Sequence, residues 1–359
     1  MVNDFCFLLS NGLFISDKRT FDNNLSFSPC CIFEDEVKNL SDAKWNDIKD
    51  WTPSCNRCLL KEKNNKKSSR QDYQSWFSDI KEEGLTFLDI DYSNACNAAC
   101  GMCKPFNSSL IEKMWREEGV NLITAPNVKR KDFYEAIDNL DLSKVKVLKF
   151  RGGEPLYSNF HEVLLEKISL PEVATVFYQT NGSIYPSDKW WNLAKNFKKI
   201  HFSFSIDAVG ERFNYIRSPL KFTEVENNII RLMKSKEING VFSIECTINP
   251  LNAYYYDEVF EFYKKLRLIN KNITLNWHNC WGDLWALNNT PPSLRKLITE
   301  KYKNNSMCRV INDFNFKEDE FISFVLNIKK HEKRFNFDTD KIFPEIYPLI
   351  QEYYETLIV

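Results

Sequence analysis

The chain has 359 residues, 48 Lys+Arg against 49 Asp+Glu, and a formal net charge of −1. Its 43% hydrophobic and 27% charged residues are ordinary for a globular protein, and no run approaches the roughly 18 uninterrupted apolar residues of a membrane span. The near-zero charge argues against a protein built to coat nucleic acid, and the opening Met-Val-Asn-Asp-Phe lacks the basic segment of a secretory signal, so a cytoplasmic location is expected.

The first sixty residues hold five of the eleven cysteines: Cys6, the Pro29-Cys30-Cys31 pair, and Cys55-Asn56-Arg57-Cys58. An odd cysteine count without an export signal points away from a disulfide framework and toward reduced thiols used as metal ligands or redox groups. Residues 61–72 (Lys-Glu-Lys-Asn-Asn-Lys-Lys-Ser-Ser-Arg-Gln-Asp) contain no apolar side chain and read as a solvated connector. A boundary near residues 62–84 follows, dividing the chain into 1–84, 85–291 and 292–359.

From Leu85 the chain alternates β-rich runs with amphipathic stretches. The runs are Leu85–Asp91, Val145–Arg151, Ala174–Thr180, Ile200–Asp207, Val241–Ile248 and Ile273–His278. Phe222, Val225, Ile229 and Leu232 have helical spacing, with Thr223 and Glu226 in a capping-box arrangement. Six strand–helix units predict an α/β fold with a parallel sheet, curled into a partial barrel or left open. In the last three runs one face is polar: His201, Ser203, Ser205 and Asp207; Ser243, Glu245, Thr247 and Asn249; Thr274, Asn276 and His278. Buried parallel strands are usually apolar on both faces, so a polar cavity is expected, against the alternative of a solvent-wet open edge. After Pro292 the pattern becomes helical.

The sharpest motif is Cys96-Asn-Ala-Ala-Cys100-Gly-Met-Cys103, directly after the first of the six runs. Three thiolates on one loop can converge on one metal centre. Zinc would want a fourth ligand, and no histidine is near in sequence, whereas a four-iron cluster held by three cysteines keeps one iron open.

Cys96, Cys100 and Cys103 resemble the Cys-x3-Cys-x2-Cys signature of the radical S-adenosylmethionine (SAM) superfamily. Arg151-Gly152-Gly153-Glu154-Pro155 resembles its Gly-Gly-Glu-Pro motif, Gln179-Thr180-Asn181-Gly182 its Thr-Asn-Gly, and Ser203-Phe204-Ser205-Ile206-Asp207 its Ser-Ile-Asp, followed by Asn214-Tyr215-Ile216-Arg217. The resemblance implies a partial (βα)6 TIM-type barrel with a [4Fe–4S] cluster on the three cysteines and SAM on its open iron. Gly152 and Gly153 would admit the ligand, Glu154 would hold its ammonium, and Asn181, Ser205 and Asp207 would contact ribose and methionine. Arg217 would pair with the carboxylate, and Met102 would lie near the adenine. The activity implied is reductive cleavage of SAM to a 5′-deoxyadenosyl radical that abstracts hydrogen from substrate.

The N-terminal cysteines resemble the auxiliary-cluster modules (SPASM and its shortened form, twitch) of some members, which close a β-hairpin with Pro-Cys before a Cys-x2-Cys. That resemblance implies a second [4Fe–4S] cluster on Cys6, Cys30, Cys55 and Cys58, with Cys31 spare or replacing Cys30. A zinc knuckle of the same thiols remains the competing reading. Residues Lys329–Ile346 agree with the tail of the twitch-type group. The resemblance further implies a peptide or protein substrate and a low-potential electron donor such as flavodoxin or ferredoxin. Modification of a nucleotide or RNA base and a non-catalytic scaffold are the alternatives. Cys246 and Cys280 read as buried apolar thiols and Cys308 has no assignment. His278, within Trp277-His278-Asn279-Cys280-Trp281, reads as orienting or structural before it reads as an acid or base.

Overall fold

Six β-rich runs separated by helical stretches can hydrogen-bond side by side only if each return crosses the sheet, because parallel neighbours need long crossovers. The computed structural model describes residues 6–16, 25–33, 35, 37, 52–80, 84–120, 130–280, 284–303, 306–313 and 315–358. Its strands are β1 (Gly12–Ser16), β2 (Ser26–Ser28), β3 (Phe87–Tyr92), β4 (Val147–Gly152), β5 (Thr175–Thr180), β6 (Lys199–Ser205), β7 (Gly240–Ile248) and β8 (Ile273–Asn279). They form one sheet in the order β2-β1-β3-β4-β5-β6-β7-β8. Only β1 and β2 are antiparallel; β1 runs parallel to β3, and β3 to β8 are parallel throughout. The six expected runs are therefore β3–β8, in an α/β sheet that stays open, with β2 and β8 at its edges.

Alternation along each strand sorts the two faces. Leu88, Ile90, Leu148, Phe150, Val176, Tyr178, Ile200, Phe202 and Phe204 are buried in the main core, which includes the apolar positions Val225, Ile229 and Leu232 of the helix Phe222–Lys234. The opposite face is polar, as expected, but its setting changes across the sheet. His201, Ser203 and Ser205 of β6 are half-buried, while Thr274, Asn276 and His278 of β8 are exposed. The polar-cavity expectation thus holds toward the middle strands and gives way to a wet edge at β8.

The N-terminal segment covers the polar face where β3 and β4 begin. Phe7, Leu8, Tyr73, Phe77, Phe87 and Val147 form a second apolar cluster there. Two local expectations change. The stretch 61–72 is not a solvated connector throughout: it ends the helix Asn56–Lys63 and begins Ser69–Trp76, which Ser68 and Gln71 cap reciprocally. Arg70 is only 4% exposed, its Nε and Nη2 donating to Glu62 at 3.0 and 2.6 Å. A guanidinium can be buried where a carboxylate meets its fork, which composition alone does not reveal. The expected capping box of Thr223 and Glu226 does not form either. The helix already begins at Phe222, whose N–H donates to Asn214 Oδ1 at 2.7 Å.

The C-terminal region is helical as expected: Pro292–Tyr302, Ser306–Asp313, Glu318–Phe335, Thr339–Ile342 and Tyr347–Ile358. It braces the C-terminal end of the helix Gly210–Ile216. His331 Nε2 lies 2.8 Å from the Tyr215 carbonyl and 3.2 Å from Ser218 Oγ, and Thr339 Oγ1 donates to Tyr215 OH at 3.2 Å.

Burial holds His161, His201 and His331 neutral, the pKa of each lowered to about 4. In the unfolded chain the same imidazoles titrate near 6.5. Between about pH 6.5 and 4 the unfolded state therefore binds more protons, and stability falls as pH drops, by up to about 1.4 kcal/mol per pH unit for each histidine. Urea unfolding midpoints should be highest near pH 7 and decline steadily to pH 5; a flat profile would overturn this.

Candidate functional site

In a parallel sheet the loops that follow the strands gather along one edge, where sites of such folds assemble. The loop after β3 carries Cys96, Cys100 and Cys103, and all three line one cavity of about 290 Å³. Gly152 and Gly153 at the end of β4, Asn181 beyond β5, Ser205 of β6 and Arg217 line the same cavity. Four segments that the sequence reading picked out separately therefore meet in one place.

The cysteine loop is held from two sides. Ala99 N–H donates to Ser218 O at 2.6 Å and Gly101 N–H to Ile216 O at 3.0 Å, while Ser108 Oγ donates to Ala98 O at 2.6 Å. Gly101 is required by packing: a Cβ there would sit 2.2 Å from Trp285 Cζ2. Trp285 is fixed in turn by donating from Nε1 to Asn327 Oδ1 at 2.7 Å. Met102 is half-buried at the margin of the core. Burial pushes the Cys96 thiol up to about 12, with Cys100 adding to the effect, and raises Cys100 as well, against the pull of Arg217.

The motif glycines serve the chain's own backbone. Gly152 has φ +130°, and a Cβ there would lie 2.9 Å from Tyr92 O; one on Gly153 would lie 2.2 Å from Ala95 O. Only glycine permits that approach, which lets Gly153 N–H reach Ser93 O at 3.1 Å and Glu154 N–H reach Ala95 O at 2.8 Å. Glu154 is likewise committed inside the protein. It accepts from Thr180 Oγ1 at 2.7 Å, Asn181 N–H at 2.7 Å and Leu156 N–H at 3.1 Å. Its carboxylate ties the end of β4 to the end of β5, where the resemblance had it receiving an ammonium. Burial raises its pKa against the pull of these hydrogen bonds. Asn181 also braces: Nδ2 donates to Asn97 Oδ1 at 3.0 Å, and Oδ1 accepts from Ser183 Oγ at 2.6 Å.

Asp207 lies behind the cavity. Its Oδ1 accepts from Thr247 N–H at 2.7 Å, and its Oδ2 pairs with Arg217 Nη2 at 2.7 Å. Arg217 also lies 3.7 Å from Cys100 Sγ through Nη1, and its Nε is buried with no hydrogen-bond partner among the described residues. The chain thus carries a fixed positive charge against one of the three thiols, oriented by a buried carboxylate.

The five N-terminal cysteines share one cavity, Cys31 among them. Cys6, Cys30, Cys31, Cys55 and Cys58 line a cavity of about 30 Å³ beside Arg70 and Tyr73. No disulfide links any of the eleven cysteines. Burial pushes Cys6 up to about 11 and raises Cys30 and Cys58, and neighbouring thiols add to each rise. The expected hairpin is β1–β2, and Gly12 packs tightly beneath Pro29: a Cβ there would meet Pro29 O at 2.5 Å. Through β1 this cysteine region continues the main sheet.

His278 lies apart from both cavities. It is 61% exposed, and its Nε2 lies 2.7 Å from Glu245 Oε2. Burial pushes the Glu245 carboxyl up, but the hydrogen bonds from His278, Asn276 and Ser243 outweigh it and hold the group below its usual range. Cys246 and Cys280 are buried as expected, and so is Cys308; Trp281 lies outside the described residues. Sequence reasoning missed Arg151 and Asp91 as cavity residues and Trp285 as the prop of the cysteine loop. The alternation of Asp89 and Asp91, and of Lys149 and Arg151, was the available signal for the first two.

The residues at the larger cavity fit an iron–sulfur cluster with a polar ligand: three thiols, no competing histidine among the lining residues, and a buried guanidinium nitrogen with an unmet donor. Among the described residues, no three side chains of His, Cys, Asp or Glu are drawn together closely enough to hold a single metal ion. No family model matches the chain, and no curated protein matches it.

Replacing Glu154 by Ala leaves three buried donors without an acceptor and should cost about 2–4 kcal/mol, with Gln less damaging. Chemical denaturation of the two variants checks this; an Ala variant as stable as the parent would overturn the bracing role.

Proposed function

We propose that this chain is a radical SAM enzyme that oxidatively modifies a peptide or protein side chain. The observation that carries the reading is the meeting of Cys96, Cys100 and Cys103 with the polar strand ends Gly152–Gly153, Asn181 and Ser205 in one cavity. Cys96, Cys100 and Cys103 would hold a [4Fe–4S] cluster, and the cavity beside them would take SAM. When bound, that pair supplies reductive cleavage of a sulfonium and a 5′-deoxyadenosyl radical able to abstract hydrogen from carbon.

The chain's own residues have definable parts in this. Arg217 places positive charge beside Cys100, favouring the thiolate over the thiol, and Asp207 keeps the guanidinium in place. Glu154 and Asn181 lock the ends of β4 and β5 to each other and to the cysteine loop, so the cavity wall is set before any ligand arrives. The helix Glu318–Phe335, which carries His331 and seats Trp285 through Asn327, closes the loop from behind and would limit water there.

Cys6, Cys30, Cys55 and Cys58 would complete the ligand set of a second iron–sulfur centre, with Cys31 spare or replacing Cys30. A centre with all its protein ligands in place suits electron transfer better than ligand binding. A low-potential donor such as flavodoxin or ferredoxin would supply the reducing electron.

Anaerobically reconstituted protein should contain about eight irons per chain, and Cys100→Ala about four. About four irons plus one zinc would instead assign the N-terminal thiols to zinc. With SAM and a low-potential reductant, the parent should form 5′-deoxyadenosine and Cys100→Ala should not. Absence of that product from fully loaded parent protein would overturn the reading.

A further inference from the structure

The two arginines at the larger cavity are used differently. Arg217, the expected carboxylate partner, is already engaged by Asp207 and Cys100. Arg151 is not engaged in the same way. It follows Lys149 on the polar face of β4, stands opposite Asp91 of β3 in the register, and lines the cavity beside Gly152. Its Nε lies 3.1 Å from Asp89 Oδ1, and its guanidinium stacks over the Phe14 ring of β1 at 4.6 Å. Asp89 is shared with Lys149 Nζ at 3.7 Å.

The Phe14 ring therefore backs one face of the Arg151 guanidinium, and the Asp89 carboxylate lies beside its Nε as an ion pair without a hydrogen bond. Among the described residues nothing accepts a hydrogen bond from Nη1 or Nη2, and the side chain keeps 22% exposure. A planar fork steadied in this way and left open along its outer edge matches a carboxylate.

We infer that Arg151 is the carboxylate-binding residue of this cavity. The open Nη1–Nη2 edge faces the cavity, where it can take a carboxylate through two parallel hydrogen bonds. The inference deepens the proposed function, which supplies two sources for such a group: SAM itself, or an acidic side chain or C-terminal carboxylate of the peptide substrate. Phe14 is not a lining residue but backs the Arg151 guanidinium, so the N-terminal strand steadies a cavity residue as well as pairing in the sheet.

The test uses the full reconstituted chain, with binding of SAM and decarboxylated SAM measured by equilibrium dialysis and binding of glutarate by ligand-observed NMR. If Arg151 holds the SAM carboxylate, the parent prefers SAM by about ten- to a hundredfold, Arg151→Gln removes the preference, and Arg151→Lys keeps part of it. If it holds the substrate carboxylate, SAM binding survives in Arg151→Gln while the glutarate binding seen in the parent is lost. Lys149→Gln removes a neighbouring charge outside the cavity and should change neither readout. Asp89 keeps Lys149 as its partner in Arg151→Gln, and a thermal melt of that variant confirms the fold. Unaltered SAM preference together with unaltered glutarate binding in Arg151→Gln would overturn the inference. A parent that binds glutarate through Arg151 but does not bind SAM would overturn the proposed function and leave the inference standing.

Discussion

The parallel register of β3 to β8 is the constraint on which the rest of this structure depends. Strands that all run the same way must send their following loops to one edge, so the cysteine loop and the ends of β4, β5 and β6 meet without any of them being close in sequence. Such a gathering of polar ends is costly unless each donor and acceptor is met. The chain meets most of that demand with Glu154, which takes hydrogen bonds from Thr180, Asn181 and Leu156, and with the Asp207–Arg217 ion pair. These groups shape the cavity by engaging one another, with Arg217 Nε left without a hydrogen-bond partner among the described residues. What is left open, chiefly the outer edge of Arg151, is then available to a ligand.

Close backbone approach is the second element. Gly101, Gly152 and Gly153 each stand where a Cβ would collide with Trp285 or with the chain between Tyr92 and Ala95. The cysteine loop is in effect clamped between the β4 turn on one side and the 216–218 turn on the other. The C-terminal helices act at one remove, since Asn327 holds Trp285 and His331 holds the turn that receives the loop's N–H groups. A region with no chemistry-bearing motif thus decides how well the chemistry-bearing loop is placed.

The N-terminal region shows how far local pattern can mislead. A run of lysines, asparagines and serines reads as solvated chain, yet Arg70 and Glu62 form a bidentate ion pair beside the five cysteines. Whether a charge is buried depends on a partner more than two helical turns away in sequence and on a wall made by Tyr73 and Cys58, and no short window of sequence contains all of these. The same holds for β1. Local pattern makes it one arm of a hairpin, but its parallel pairing with β3, far along the chain, brings Phe14 under Arg151.

Much was legible in the chain alone. Hydrophobic alternation located the strands β3 to β8, and the spacing of Cys96, Cys100 and Cys103 singled out the loop that lines the cavity, because strand period and ligand spacing are local properties of sequence. Which residues of a motif face the cavity and which serve the scaffold was decided only by the tertiary structure. Glu154 and Arg217 carry the same charges whether they bind a ligand or the chain's own groups, and only the packing of distant strands determines which partner is within reach.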